Sequence, residues 1–516
     1  MKLHIFFATI LLGSTTFISQ EVLGQVSKVD ETKFKKFKDD GDRFFDKKDF
    51  RAARRNYDIA QLNKPNEKAI TQRLEECNKK LLSVAEKFLK DANKLLKNGK
   101  NDEATALLDS AYMYQPEHAE IKALQLSTYN NNVNNTFYKV LEGKNYDGAN
   151  STIALSDGGI VVAGRSNSHN AGDDMNMNIV KLDATGNVVW NNHYGADETE
   201  EPWQVIECKD GGILTVGYSD SYGGGSGMKD VWLLKVDKDG KKQWDKVFIT
   251  NEAIDEAVSV IEEADGNFMV VGNTIPINPG NISDIILMKV SPEGKEIWKK
   301  EYKEIGNDEA GEIIAIKDGY MIAGRIEVEK KRWDACVIKL DKDGNKLWTK
   351  NYGGNDDDMA NAIEPTKDGG FVIAGYSYSY AKTGSHDAWV VKIDKEGETV
   401  WENTFGGGSS DELFSLIELV DGSIIAVGYT DAYSQTSATN MANTSKDGND
   451  ILLVKMTAKG DDLWVRNIGG LGNQRCYDLK ITKDGSIVLA GYQEDAETKN
   501  TDILVLKTNR GGVVKK

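Results

Sequence analysis

The chain has 516 residues, with 64 Lys plus Arg against 81 Asp plus Glu, 50 Gly, 7 Pro and 4 Cys, too long for one ordinary core. At 40% apolar and 28% charged it reads as a folded soluble protein, which excludes a disordered tail, a collagen and a membrane bundle. A net charge of −17 argues against nucleic acid and anionic membranes as partners, because phosphate binding relies on clustered Lys and Arg.

The first elements are an address. Met1 and Lys2 precede an apolar run, His4 to Ile18, that is too short to span a bilayer. Small residues close it: Val22-Leu23-Gly24 predicts cleavage before Gln25, so 1–24 is expected to be a signal peptide. The mature chain is then exported, periplasmic or extracellular, and soluble, with no membrane span. Export permits disulfides, yet Cys77, Cys208, Cys336 and Cys476 are widely spaced and read as buried free thiols. The five histidines are scattered, so no zinc site is expected.

Charge divides the remainder of the chain. Residues 25–136 carry 22 basic and 18 acidic side chains, whereas residues 137–516 carry 41 and 62. The first part has helical periodicity, few Gly and many Leu, Ala, Lys and Glu. Phe37, Gly41, Phe44, Ala53, Tyr57, Ala60 and Pro65 fall at the spacings of a helix-turn-helix unit whose small residues let two helices approach. A second set is Phe88, Ala92, Leu95, Ala104, Leu108, Ala111 and Pro116, separated from the first by one long helix from about Asn66 to Lys97. These residues resemble tetratricopeptide repeats, which implies helical hairpins over 25–129 and either a peptide-binding groove or a structural spacer. Asn130 to Asn135, five Asn in six, mark a linker over 130–136.

From Phe137 a unit of about 54 residues recurs seven times. Asp-Gly or its equivalent begins at Asp157, Asp210, Asp265, Asp318, Asp368, Asp421 and Asp484. An apolar run then ends at Gly164, Gly217, Gly272, Gly324, Gly375, Gly428 or Gly491. An Asp or Asn, an alternating apolar stretch with a Lys, a Gly turn and an aromatic complete each copy. Four short runs of β-branched and aromatic residues per unit predict a four-stranded antiparallel blade. The predicted fold is therefore multidomain: all-α helical hairpins, then an all-β seven-bladed propeller over 137–516. The last copy lacks its aromatic strand, so Phe137 to Leu141 is expected to complete the blade holding Ile503 to Leu506 and hide an edge.

This region resembles secreted bacterial β-propeller repeat proteins and is similar to WD-repeat units in strand order. Lys181-Leu182-Asp183-Ala184-Thr185-Gly186-Asn187-Val188-Val189-Trp190 is also similar to the tryptophan-docking motif of quinoprotein propellers. That resemblance implies a calcium-held quinone and, in the alcohol dehydrogenases, an adjacent Cys pair. No adjacent Cys exist here and there are seven copies, not eight, so the docking Trp is read as glue between blades. Asp237-Lys238-Asp239-Gly240 and Asp341-Lys342-Asp343-Gly344 look like the start of a calcium loop whose later ligands are missing, and hairpin turns account for them.

Three recurrences offer sites. Asp147, Glu200, Asp255, Asp308, Asp358 and Asp411 open the innermost strands and are expected either to ring one channel mouth with negative charge or to cap local turns. Loops on that face carry Tyr218, Tyr222, Tyr376, Tyr378, Tyr380, Tyr429, Tyr433 and Tyr492, rigid amphipathic side chains suited to protein or glycan binding. The seven strand lysines are expected to pair with an Asp of the neighbouring blade. No catalytic residue, metal ligand or cofactor is evident in the sequence. The expectation is an exported, non-enzymatic scaffold for another envelope or secreted protein. A glycan-binding propeller is the alternative, with a quinoprotein oxidoreductase behind both.

Overall fold

The computed structural model describes residues 31–514 apart from 65–66, 116–117, 131–132, 134, 169–173, 223–227, 251–252, 278–281, 305, 329–331, 382–384, 408, 432–447 and 471. The expected signal peptide, Pro65, Pro116 and Tyr433 lie outside the described residues. The chain forms two compact units, one ending at Thr128 and the other beginning at Tyr129.

The first unit is helical: α1 (Glu31–Asp46), α2 (Phe50–Asn63), α3 (Lys68–Lys97), α4 (Asn101–Tyr114) and α5 (Ala119–Asn130). Asp49 caps α2 by accepting the Ala52 N–H at 3.2 Å. Small residues let α1 and α2 approach, for a Cβ on Gly41 would stand 2.5 Å from the Tyr57 ring. Ala53, Tyr57 and Ala60 are fully buried, as are Ala92, Ala104, Leu108 and Ala111 between α3 and α4. The described helices include none long and apolar enough to cross a membrane.

The second unit contains seven sheets of four antiparallel strands. Within each blade the strands are lettered A to D in pairing order. The A strands are Asp147–Ala154, Glu200–Glu207, Ala253–Glu262, Asp308–Ile316, Asp358–Pro365, Asp411–Glu418 and Gln474–Ile481. Each touches the A strand of the next blade, and the seventh touches the first, so they line the axis of a closed ring. Strands B and C read as continuous apolar runs, such as Ile424–Thr430 and Asp450–Met456, which are buried throughout, because blades cover both of their faces. Outer D strands such as Val188–Tyr194 are exposed or half-buried throughout.

The seventh blade takes its D strand from the start of the unit: Phe137–Leu141 pairs with Thr501–Thr508, Phe137 opposite Lys507 and Leu141 opposite Ile503. The edge aromatics then dock in series. Trp190, Trp244, Trp298, Trp348, Trp401 and Trp464 lie against Gly240, Gly294, Gly344, Gly397, Gly460 and Gly512 of the following blade's hairpin. Phe137 meets Gly186 of blade 1 in the same way. These glycines have φ between +72° and +88°, and a Cβ on any of them would crowd the ring or a neighbouring side chain.

Every A strand contains a bulge after its third or fifth residue. The bulge leaves a backbone N–H for the neighbouring blade to satisfy. Ser151 Oγ accepts from Val205 N at 3.2 Å, Gln204 Oε1 from Val260 N at 2.6 Å, Ser259 Oγ from Ile313 N at 3.2 Å and Glu312 Oε2 from Ile363 N at 2.9 Å. Ser415 Oγ accepts from Leu479 N at 3.4 Å, and Asp478 Oδ2 from Thr152 N at 3.0 Å. A side chain of the adjoining blade therefore holds the N–H near the bulge at six junctions, including the closure, and at the junction of blades 5 and 6 Asn361 Nδ2 instead donates to Glu412 and to the Leu413 carbonyl. The strand lysines behave otherwise than expected: Lys181, Lys235, Lys392 and Lys507 reach Asp157, Asp210, Asp368 and Asp484 of their own blade's turn, at 2.7 to 3.4 Å. The A–B turn and strand C adjoin within one sheet, so the intrablade partner is nearer.

Candidate binding site at the channel mouth

The second residue of each A strand and its partner on strand B form one layer at the end where A begins; in blade 3, whose A strand starts two residues earlier, the equivalent residue is the fourth. The pairs are Gly148 with Arg165, Glu201 with Tyr218, Glu256 with Asn273, Glu309 with Arg325, Met359 with Tyr376, Glu412 with Tyr429 and Arg475 with Tyr492. Seven blades thus place carboxylates, guanidinium groups and aromatic rings on one rim.

Over blades 5 to 7 the rings join into an arc. His386 lies 4.7 Å from Tyr376 and 5.0 Å from Tyr378. The Tyr429 hydroxyl is 3.4 Å from His386 Nε2. Phe414 is 5.9 Å from Tyr429 and 4.8 Å from Tyr477, which is 6.1 Å from Tyr492. The Arg475 guanidinium sits 3.8 Å over the Tyr429 ring, a cation–π contact. Tyr378 is 41% exposed and Tyr429 only 5%; the other rings of the arc are half-buried. Glu412 accepts from Asn361 Nδ2 at 2.9 Å, and burial raises its carboxyl above the usual range despite that bond and the nearby Arg475. Burial lowers the His386 pKa, so its imidazole favours the neutral form.

The rest of the rim is saturated by its own pairs. Glu201 accepts from Arg165 at 2.9 Å and from the Tyr218 hydroxyl at 3.0 Å, while Lys229 lies 3.9 Å over the Tyr218 ring. Arg325 donates to Glu309 through Nε at 3.0 Å and through a terminal nitrogen, and covers Trp333 at 4.2 Å.

Of the tyrosines singled out from the sequence, Tyr376, Tyr378, Tyr429 and Tyr492 come together. Tyr218 is occupied on blade 2, Tyr222 packs on Trp232 at 6.1 Å, and Tyr380 donates to the Gly353 carbonyl at 2.8 Å and lies 5.7 Å from Trp389. The sequence reading missed His386, Phe414, Tyr477, Glu412 and Arg475. Glu412 recurs as Glu201, Glu256 and Glu309 in only three other blades and the remaining four are peculiar to theirs, whereas that reading looked for residues shared by all copies. The bulge position carries Asn150, Trp203, Val258, Gly311, Asn361, Phe414 and Tyr477, and this variation within a repeat is the signal that would have found them.

Five of the six acids open their A strands at this end and Asp255 is the third residue of its own, but they do not stand there as free charges. All are 4% exposed or less. Glu200, Asp308, Asp358 and Asp411 accept the N–H of the residue four positions earlier at 2.9 to 3.1 Å, and Asp147 and Asp255 accept from Ser168 Oγ and Thr250 Oγ1 at 2.5 and 2.6 Å. An unpaired carboxylate so deep is costly, and the preceding loop, or for Asp147 the loop after strand B, supplies the compensating donors. All four Cys are buried and free. Asp237 and Asp341 each accept N–H bonds from their own turns.

No family model and no curated protein matches the chain. Solved propellers resemble it in fold. The alpha-L-arabinanase of Penicillium chrysogenum is 11% identical over 74% of this chain and 99% of that one, with a TM-score of 0.39. The GH93 alpha-L-arabinofuranosidase of Fusarium graminearum is 12% identical over 57% and 92%, also at 0.39. The propeller domain of the Trilobed protease from Pyrococcus furiosus is 11% identical over 70% and 95%, at 0.36. The expectation that this chain is not an enzyme does not stand, since the fold brings carboxylates and a guanidinium group from separate blades to one rim. That expectation rested on finding no catalytic cluster along the sequence. A propeller assembles its rim from residues of different blades, as Glu309, Glu412 and Arg475 of blades 4, 6 and 7 are here, so such a search is uninformative.

Proposed function

We propose that the chain is a glycan-binding propeller whose sugar lies on the aromatic arc of blades 5 to 7. The arc of rings beside Glu412 and Arg475 carries this reading: flat rings cover the apolar faces of a sugar, and a few fixed polar groups bond its hydroxyls. The test is a glycan array probed with the full chain, followed by titration of the retained glycan. Tyr378→Ala and Arg475→Ala are expected to weaken binding about tenfold or more, the equivalent of about 1.4 kcal/mol, while Tyr222→Ala on blade 2 leaves it unchanged. If no glycan is retained, or the arc variants bind like wild type, the reading falls. Chromatography of the titrated glycan reports whether a bond is cleaved.

The helical unit supports a second role. Its α1–α2 and α3–α4 pairs, drawn together by Gly41 on Tyr57 and by Ala92, Ala104 and Ala111, are read as tetratricopeptide-like hairpins that dock an envelope or secreted protein. The apolar run of 4–18 supports export of the whole. Pull-down with the intact chain and with an Ala53→Glu variant, which places a charge in the α1–α2 packing, tests that role; equal capture of the same protein by both refutes it.

A further inference from the structure

The blade junctions repeat one arrangement of acids. An acid or amide within the first three residues of strand C in one blade meets one within the first three residues of strand A in the next. Backbone N–H groups of Glu200, Asp255, Asp308, Asp411 and Gln474 donate to the carbonyls of Met175, Lys229, Ser283, His386 and Asn449 at 2.6 to 2.9 Å. These carbonyls immediately precede Asn176, Asp230, Asp284, Asp387 and Asp450. The junctions therefore pair Asp230 with Asp255, Asp284 with Asp308 and Asp387 with Asp411, and Asp334 with Asp358 and Asp502 with Asp147 complete the set of acid pairs.

Two carboxylates at one buried position repel strongly. Asp334 and Asp502 are half-buried, and the other members of these pairs are buried. Asp230 Oδ2, Asp255 Oδ1 and Asp308 Oδ1 have no hydrogen-bond donor among the described residues, an arrangement that is expensive for an ionised oxygen. At the two remaining junctions the sequence replaces one acid by its amide: Asn176 faces Glu200, and Gln474 faces Asp450. An amide is the near-isostere of a protonated acid, with an N–H where the acid has its proton.

We propose that each of the five acid pairs holds one shared proton, which makes the blade junctions latches that close in acid and loosen as the proton is lost. Neighbouring charges are too few to replace it. Lys299 reaches Asp255 at 3.5 Å. Around Asp284 and Asp308 stand Lys303 at 3.5 Å, Lys346, Glu301 and Glu304. Arg332 and Asp357 flank Asp334, Asp431 faces Asp411, and Glu142 and Asp495 face Asp502. Burial, then Glu304 and Asp284, pushes Asp308 up to about 7; burial, then Asp387 and Asp431, pushes Asp411 up to about 6. A raised pKa in the folded chain gives stability that is present below the ordinary carboxylate range and is lost as pH rises through these values. Asp308 and Asp411 directly precede Glu309 and Glu412 of the rim, so the same proton tightens the strands that carry the mouth.

Scanning calorimetry of the full chain at pH 5 and pH 8 tests this. Asp308→Asn keeps the acceptor for Glu304 N and gains a donor toward Asp284, so its Tm at pH 8 is expected to rise by about 2 °C with little change at pH 5. Gln474→Glu creates a sixth acid pair and is expected to lower Tm at pH 8 only. Glu312 and Glu364, held by burial near about 7, titrate over the same interval, so each variant is compared with wild type at the same pH. Shifts equal at both pH values in both variants overturn the proposal. It is likewise overturned if calcium chloride raises the wild-type Tm at pH 8 and a chelator reverses the gain, since the pairs then hold a cation instead of a proton.

Discussion

Gly41 shows how one residue sets a helical contact. It lies under the Tyr57 ring, whose hydroxyl donates to Asp42 at 2.7 Å, so any side chain there forces α1 and α2 apart. Gly41→Ala is expected to destabilise the helical unit by about 1–3 kcal/mol, read as a lower first transition in circular dichroism melting. Its role was legible because small residues recur at fixed spacing. Tyr477 and Phe414 were not legible: in sequence each is one aromatic in one strand, and only the ring places them 4.8 Å apart. The same holds for Arg475, which finds Tyr429 in the neighbouring blade.

At the scale of elements, strand spacing, hairpin turns and the docking aromatics were all visible as periodic marks. The bulges were not, since a bulge adds a residue without a characteristic composition. Asp478 illustrates what the bulges accomplish. It accepts from Ser151 Oγ and Thr152 N across the closure and from Ser415 Oγ on the other side, and pairs with Lys480 at 2.7 Å. Asp478→Ala leaves these donors without their acceptor, and a loss of about 3 kcal/mol is expected in urea unfolding of the propeller. Gln204→Ala, which empties only the contacts to Ser259 and Val260, is expected to cost about 1 kcal/mol.

For the molecule as a whole, closure depends on a strand borrowed across more than 360 residues. Removing residues 137–141 exposes the edge of Thr501–Thr508 and leaves Gly186 without Phe137. A propeller Tm lower by several degrees, about 5 °C or more, is expected together with concentration-dependent association through the bared edge; an unaltered Tm would show that the pairing contributes nothing to closure. The sequence by itself determined the blade number, the strand order within a blade, the borrowed strand and the helical character of the first unit, because each is written as a period with local turn and packing chemistry. Only the tertiary structure decided which of the recurring acids are consumed as caps, which lysines pair within their own blade, and which rings share a surface. Those outcomes depend on contacts between blades, where residues about 50 positions apart compete for the same donors, rings and buried space.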